Sequence, residues 1–272
     1  MNPENRNLAI GIAVVMIVII GGYAALINYT GLSTPFSVVM SESMQHDPYE
    51  SRIGCIDTGD VVIVKEADAD EIQSYIEGTV TGHRSFGDYG SVIIYERGFD
   101  QNPVIHRAII WLDWDGSKWS SPDLVDYTGE WYCAEGNSRS TNPYNLEGML
   151  HLKDVTASGK NVTVNLDRMT KNSGYLTMGD NPIGNTNFDQ TTGIADGPVP
   201  MEKVKSIPIA EIPWIGAVKV SMKGDNMEHA PNSIPSLLMT IVTIFSIIIL
   251  IDVLNHKNTL AKAKEEKGKY RF

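Results

Sequence analysis

Two long apolar runs, one near each end of the chain, constrain the fold more than any other feature of the sequence. The first run covers residues 8–27 without a charged side chain, and the second covers residues 234–254 with no charge before Asp252. At about 1.5 Å of rise per residue, about 20 apolar residues in a helix cross the roughly 30 Å hydrocarbon layer of a bilayer. Both runs therefore predict membrane-spanning helices, which leaves residues 28–233 for one folded domain.

The first run has the features of a retained anchor. A cleaved secretory signal has an apolar core of about 7–15 residues, behind a basic start and ahead of a small-residue cleavage site. Here Arg6 is the basic residue ahead of the run, and Tyr23 and Leu26 lie near its end. We therefore expect this helix to remain in the mature protein.

Charges outside the apolar runs predict how the chain crosses the membrane. Segment 255–272 is rich in lysine, and cytoplasmic segments next to spanning helices carry an excess of basic residues. With this basic tail inside, two crossings place residues 1–7 inside as well. The sequence thus predicts a two-span protein of the cell membrane whose domain, residues 28–233, is extracytoplasmic.

The composition of this domain excludes several classes of function. Residues 28–233 hold 15 Lys and Arg against 29 Asp and Glu, a formal charge of −14, which argues against nucleic acid as a partner. Cys55 and Cys133 both fall in this domain, and the sequence leaves open whether they pair. Neither has a second Cys or His two to four residues away, so we predict no metal site, and no cofactor.

The pattern between the two apolar runs is typical of β-structure. Short apolar runs rich in β-branched residues are bounded by Gly, Asp, Asn and Pro. They cover residues 36–40, 61–65, 91–96, 103–112, 161–166, 174–179 and 216–222. Residues 68–76 form the best amphipathic helical candidate. Segment 113–172, which contains three of the five tryptophans and several turn dipeptides, is interpreted as a β-rich insertion.

The most informative residues follow the first apolar run. A strand pattern at residues 37–40 leads directly into Ser41 and Ser43. Serine is a weak nucleophile until a neighbouring base removes its proton. A hydroxyl two residues earlier lies on the same side of an extended chain, so Ser41 is a candidate oxyanion contact beside Ser43. Two serines at the end of a strand also serve as turn caps, and these residues alone leave both interpretations open.

The order of motifs along the chain resembles the type I signal peptidase family. A Ser-x-Ser-Met box ends at Met44, and it is followed by Gly-Asp-Val-Val-Ile-Val at 59–64, by Val-Ile-His-Arg at 104–107, by Gly-Asp-Asn at 179–181 and by Pro-Trp-Ile-Gly at 213–216. The resemblance implies Ser43 as the nucleophile and His106 as the base. Bacterial members commonly use a lysine base, whereas archaeal and endoplasmic-reticulum members have histidine there, and this chain has no lysine between Lys65 and Lys118.

The resemblance also implies an acidic residue that supports the histidine. A carboxylate beside an imidazole fixes its tautomer and stabilises the imidazolium that forms on proton transfer. The family places this acid a few residues after the Gly-Asp-Asn box, where this chain has Asn and Thr, with Asp189 further along. Asp189 is the preferred candidate and Asp180 the alternative, although either is also explained as a turn cap or a solvated loop charge.

Together these features predict a mainly β fold: a membrane-anchored, all-β, signal-peptidase-like catalytic domain flanked by two transmembrane helices. The implied activity is serine-type removal of N-terminal signal peptides from secretory preproteins at the lipid membrane, with accessory subunits left open. The strand at 36–40 is a candidate edge for pairing with an extended substrate, and we expect a charged residue at Val39 to reduce cleavage without unfolding the protein.

Two other functions fit parts of the sequence. One is a non-catalytic two-span surface protein whose β-rich domain binds a partner through its aromatic insertion. The other is a different membrane serine hydrolase, acting on lipoproteins or cell-surface polymers. The sequence lacks the Gly-x-Ser-x-Gly elbow of an esterase.

Overall fold

A computed structural model describes residues 3–98, 101–223 and 233–269. Within these ranges the helices are α1 Pro3–Thr30, α2 Tyr75–Thr81, α3 Asp189–Thr192, α4 Ala217–Lys223 and α5 Ser233–Lys269. The strands are β1 Phe36–Val38, β2 Val61–Glu66, β3 Arg84–Ser85, β4 Asp88–Tyr89, β5 Val92–Tyr95, β6 Val104–Trp114, β7 Trp119–Ser120, β8 Trp131–Glu135, β9 Ser138–Ser140, β10 Met149–Val155, β11 Lys160–Asn165, β12 Gly174–Met178 and β13 Val204–Ile212.

The main sheet has seven antiparallel strands in the order β1-β2-β13-β5-β6-β12, with β7 paired to β6. Strand β2 shows the alternation expected of a sheet with one covered face, because Val62 and Val64 are buried and their neighbours are less so. In β5 and β12 every residue is buried, as expected for strands covered on both faces. Strand β1 lies at one edge and pairs with β2.

A small sheet of four strands, in the order β11-β10-β8-β9, lies within the segment 113–172 that was predicted to be a β-rich insertion. Its inward side chains, such as Leu150 and Val162, belong to the same apolar cluster as Ile110 of β6 and Leu176 of β12. The small sheet and the main sheet therefore share one core, so the packing free energy of each depends on the other.

The helix predicted at residues 68–76 is largely wrong. The structure has a short 3-10 helix at Ala69–Glu71 and begins α2 only at Tyr75. Ser74 caps α2, because its hydroxyl accepts the amide of Glu77 at 3.1 Å. The capping serine, rather than the run of acidic residues before it, decides where the helix begins.

The strand predicted at residues 216–222 is also wrong, because this segment forms helix α4. Ala217 and Val220, three residues apart, are buried, whereas Val218 and Met222 are exposed. That spacing matches the period of a helix. An apolar strand is also expected near the Pro-Trp-Ile-Gly motif at 213–216. Instead, strand β13 ends earlier, at Ile212, and its run is not among the predicted strands.

The two apolar helices confirm the coarse prediction of the fold class, a mainly β protein with an apolar helix near each end. Two segments, Ala9–Thr30 of α1 and Ser233–Lys257 of α5, are long and apolar enough to cross a membrane. The first begins one residue later and ends three residues later than the predicted run at 8–27, and the second begins one residue earlier and ends three residues later than the run at 234–254. Helix α5 continues to Lys269 through most of the segment predicted as a basic tail, of which residues 270–272 lie outside the described ranges.

Candidate active site

Ser41 and Ser43 lie in the serine loop, residues 39–44, which follows β1 directly. Val39 and Met44 are buried at the two ends of this loop, so the apolar core fixes both of its ends. Between them, Ser41 is exposed and Ser43 is half-buried. Their hydroxyl oxygens are 3.3 Å apart, within hydrogen-bond distance. The fold therefore presents two adjacent hydroxyl groups on an anchored loop.

His106 lies on β6 and is only 3 % exposed. Its Nδ1 atom is 2.7 Å and 2.9 Å from the two carboxylate oxygens of Asp189, the first residue of α3. Because an ionised carboxylate only accepts hydrogen bonds, Nδ1 carries the proton in this pair. Nε2 is then the nitrogen available to accept a proton, and no side chain or backbone group in the described ranges is hydrogen-bonded to it.

Asp189 is itself held by two further side chains. Thr177 donates its hydroxyl to Oδ2 of Asp189 at 2.6 Å, and Tyr95 donates its hydroxyl to the same atom at 2.8 Å. Burial, with the nearby Asp189 carboxylate, raises the pKa of Tyr95 above its ordinary value, so the phenol remains a donor at any physiological pH. These bonds fix the carboxylate and, through it, the orientation of the His106 ring.

Ser43 and His106 line the same cleft, which has a volume of about 720 Å³. One wall of the cleft is formed by β1 and the serine loop, and another by the start of β6. The structure thus brings the predicted nucleophile, the predicted base and the predicted oxyanion contact to one cavity. Asp189 supports the base from behind, inside the protein.

Asp180, the alternative acid, contacts different groups. Nε and Nη2 of Arg107 donate to its two carboxylate oxygens at 2.9 Å and 2.5 Å, and Nε2 of His46 lies 3.0 Å from one of them. Burial alone would raise the pKa of Asp180, but Arg107 and His46 hold it below its usual range. The hydrogen bond to Asp180, together with one to Cys55, raises the pKa of His46 to about 10. Asp180 is therefore ionised and paired with cations at neutral pH.

The Gly-Asp-Asn turn, residues 179–181, holds the serine loop by its backbone. Asn181 donates its amide N–H to the carbonyl of Ser43 at 3.0 Å and its side-chain amide to the carbonyl of Glu42 at 2.9 Å. Gly179 has no room for a side chain, since a Cβ there would lie 2.3 Å from the Ser43 carbonyl oxygen. The turn thus sets the position of the Ser43 backbone.

The remaining motifs support the same loop from its other side. The amide of Val39 donates to the carbonyl of Asp60 at 2.9 Å, and the amide of Gly59 donates to the carbonyl of Val39 at 3.0 Å. The carboxylate of Asp60 accepts the backbone amide of Trp214 at 2.9 Å. A Cβ on Gly216 would lie 2.7 Å from Val38, so this glycine permits the close approach of the chain to β1.

The expectation that a charged residue at Val39 would leave the protein folded is wrong. Val39 lines the cleft, but its side chain is 3 % exposed and packs with Met44 and Ile56 in an apolar cluster. A charge at this position would be desolvated without a partner and would destabilise the fold. On β1 and the serine loop, the half-buried residues Val38 and Met40 are better placed to contact a ligand.

Several residues of the site carry no clear signal in the sequence. Tyr95 and Thr177 have the composition of ordinary strand residues, and only the sheet order brings them to Asp189. His46 precedes an Asp-Pro turn, and no neighbouring motif in the sequence indicates a role for it. Arg107 and Asn181 stand inside the quoted motifs, and that adjacency was the one available signal for them.

Cys55 and Cys133 are both free thiols, with Cys133 buried in the core of the small sheet. Within the described ranges no group of three or more His, Cys, Asp and Glu is arranged to hold a metal ion. Comparisons with protein-family models, with curated proteins and with solved structures found no match for this chain.

Proposed function

We propose that this protein is a membrane-anchored serine endopeptidase of the signal peptidase type. It would remove N-terminal signal peptides from secretory preproteins on the outer face of the cell membrane. The observation that carries the proposal is the placement of Ser43 and His106 in one cleft, with Nδ1 of His106 held 2.7 Å from buried Asp189. This is the arrangement that a serine nucleophile requires from its base and orienting acid.

The chemistry follows from these positions. Nε2 of His106 takes the proton of the Ser43 hydroxyl as Oγ of Ser43 bonds to the carbonyl carbon of the scissile peptide. The imidazolium, stabilised by Asp189, then gives this proton to the leaving amine as the C–N bond breaks. Water, activated by the same imidazole, hydrolyses the ester on Ser43 and restores the hydroxyl. The Ser41 hydroxyl, 3.3 Å from the Ser43 hydroxyl, is the proposed donor to the oxyanion.

The surroundings of the cleft suit an extended peptide that arrives from the membrane. Strand β1 is an edge strand, so its free edge is open to pairing with an extended substrate. Helix α1 ends at Thr30, a few residues before β1 begins at Phe36. A short connection of this kind keeps the cleft near the membrane surface, where the cleavage site of an inserted preprotein emerges.

The test is cleavage of a native preprotein by the full chain reconstituted in liposomes. We expect the wild type to cut at the signal boundary, and Ser43→Ala and His106→Ala each to lose at least about 10³-fold in rate. Ser117→Ala and His151→Ala are matched controls, because they change a serine and a histidine outside the cleft and should cleave normally. Circular dichroism of each variant checks folding.

Other results would point elsewhere. Cleavage by folded Ser43→Ala would show that the nucleophile is wrong. If the wild type leaves preproteins intact but reacts at Ser43 with a serine-directed phosphonate, the protein is another membrane serine hydrolase. If the wild type neither cleaves preproteins nor reacts with the phosphonate, the non-catalytic binding protein is favoured.

A further inference from the structure

Lys160, the first residue of β11, has a position unlike that of a surface lysine. It is 9 % exposed, and its ammonium group donates to three consecutive carbonyl oxygens. These belong to Gly179, Asp180 and Asn181, at 3.2, 3.2 and 2.9 Å. A lysine ammonium has three N–H donors, so the three carbonyl groups of this one turn accept all of its hydrogen bonds.

The turn that Lys160 binds is the one that holds the nucleophile. Asn181 donates to the carbonyl groups of Ser43 and Glu42, as described above. The tripeptide 179–181 therefore links Lys160 to the serine loop. It accepts three hydrogen bonds from Lys160 and donates two to the loop, one of them to Ser43. The lysine lies in the small sheet, whereas Ser43 follows an edge strand of the main sheet.

The hairpin before Lys160 is built in a strained conformation. Asp154 and Thr156 adopt φ values of 52° and 66°, in the left-handed region that favours glycine and is costly for a β-branched residue. The hairpin is fastened by Asp88, whose carboxylate accepts the amide of Ala157 at 2.6 Å. A strained backbone conformation persists only where surrounding contacts hold it in place. Here the strained hairpin positions Lys160 so that its ammonium group contacts the 179–181 turn.

We propose that Lys160 is a positioning residue for the serine nucleophile: its ammonium group fixes the 179–181 turn, and this turn fixes the backbone of Ser43. The inference rests on the proposed peptidase function and gives the small sheet a role in it. The small sheet supplies a rigid support for the serine loop from outside the main sheet, in addition to its share of the core.

The charge state of Lys160 gives this role a pH signature. Burial lowers the pKa of Lys160 to about 8, against the opposing attraction of the Asp180 and Asp88 carboxylates that face it. Above that pH the neutral amine has only two donors for three carbonyl groups. His46, on the other side of Asp180, keeps its proton until about pH 10, so its titration is well separated.

The experiment compares Lys160→Met with the wild type in the reconstituted cleavage assay, over a range of pH. We expect kcat to fall about tenfold or more with KM changed less than about threefold, because small displacements of a reacting group cost rate more than binding. We also expect the wild-type loss of kcat above about pH 8 to be absent from the variant. Lys160→Arg should restore part of kcat and move the alkaline limb to higher pH.

Lys171→Met is the matched control. Lys171 also donates to a backbone carbonyl, that of Leu166 at 3.0 Å, and lies over the rings of Trp114 and Trp119. Its loss should lower the melting temperature without changing kcat or the alkaline limb. If Lys160→Met behaves in the same way, its role is only structural and the proposal is overturned.

A second measurement separates this proposal from the peptidase assignment. Hydrogen exchange at the Asn181 amide, which donates to Ser43, should become at least about tenfold faster in Lys160→Met as the turn loosens. Amides within β6 should keep their protection. If the wild type cleaves nothing, the proposed function fails, and the Asn181 exchange still shows whether Lys160 holds the turn. Unchanged exchange at Asn181 overturns the proposal.

Discussion

Asp180 follows β12 and Asp189 begins α3, and their carboxylates have different electrostatic environments. Asp180 is neutralised by Arg107 and His46. Within the described ranges, the carboxylate of Asp189 is hydrogen-bonded to the His106 ring and to the hydroxyl groups of Tyr95 and Thr177. In the proposed reaction its charge is available to the imidazolium that forms on proton transfer. An aspartate therefore completes a structural ion pair at position 180, whereas at position 189 it supports the base in the proposed mechanism.

Asp189→Asn is expected to lower kcat by about 10³- to 10⁴-fold, because an amide no longer fixes the tautomer of His106 or stabilises its charged form. Asp180→Asn is expected to act mainly on stability, since it leaves the buried Arg107 charge without its partner, a loss of about 3–5 kcal/mol in the free energy of unfolding. Cleavage rates together with chemical denaturation of both variants test this division. A large loss of kcat in Asp180→Asn at unchanged stability would reverse the two roles.

At the scale of single elements, the 179–181 turn is held from two sides. The turn accepts three hydrogen bonds from Lys160 and donates two to the serine loop. A Cβ on Gly179 would lie 2.3 Å from the carbonyl oxygen of Ser43 and 2.6 Å from the side chain of Asn185. Since the first of these is a backbone atom, it cannot move away without moving Ser43, the proposed nucleophile.

Gly179→Ala should therefore lower the free energy of unfolding by about 1–3 kcal/mol and reduce kcat in the same variant. Gly98→Ala is the control, because Gly98 is exposed and a Cβ there would meet nothing within 4 Å. Denaturant unfolding and the liposome assay measure both effects. A Gly179→Ala variant with normal stability and normal cleavage would mean that the serine loop tolerates displacement.

The sequence predicts the elements better than it predicts the contacts between them. Hydropathy and β-branched runs are local, and they identify both apolar helices and most strands of the main sheet. The choice between Asp189 and Asp180 depends on the path of the intervening loop, which is set by turns at Asn181 and Asn187, where each side chain accepts backbone amides. The role of Lys160 depends on how the small sheet packs, and no local pattern encodes that packing.

At the scale of the whole molecule, the two apolar helices and the charge distribution favour one arrangement in the membrane. The domain between the helices has a formal charge of −14, whereas the C-terminal segment is rich in lysine. Retention of the lysine-rich tail in the cytoplasm follows the bias of short cytoplasmic segments toward lysine and arginine, and two crossings then place the domain outside. The proposed reaction requires this orientation, because signal peptides are removed after the preprotein has crossed the membrane.

Labelling with a membrane-impermeant maleimide in intact cells tests the orientation directly. In a Cys55→Ser background, where Cys133 is buried, Asn137→Cys places a thiol on the exposed turn between β8 and β9, and Lys267→Cys places one in the tail. We expect the thiol at position 137 to react in intact cells, and the thiol at position 267 to react only after permeabilisation. The opposite pattern would put Ser43 and His106 in the cytoplasm, out of reach of translocated preproteins. The geometry of the cleft would then have to serve a cytoplasmic substrate.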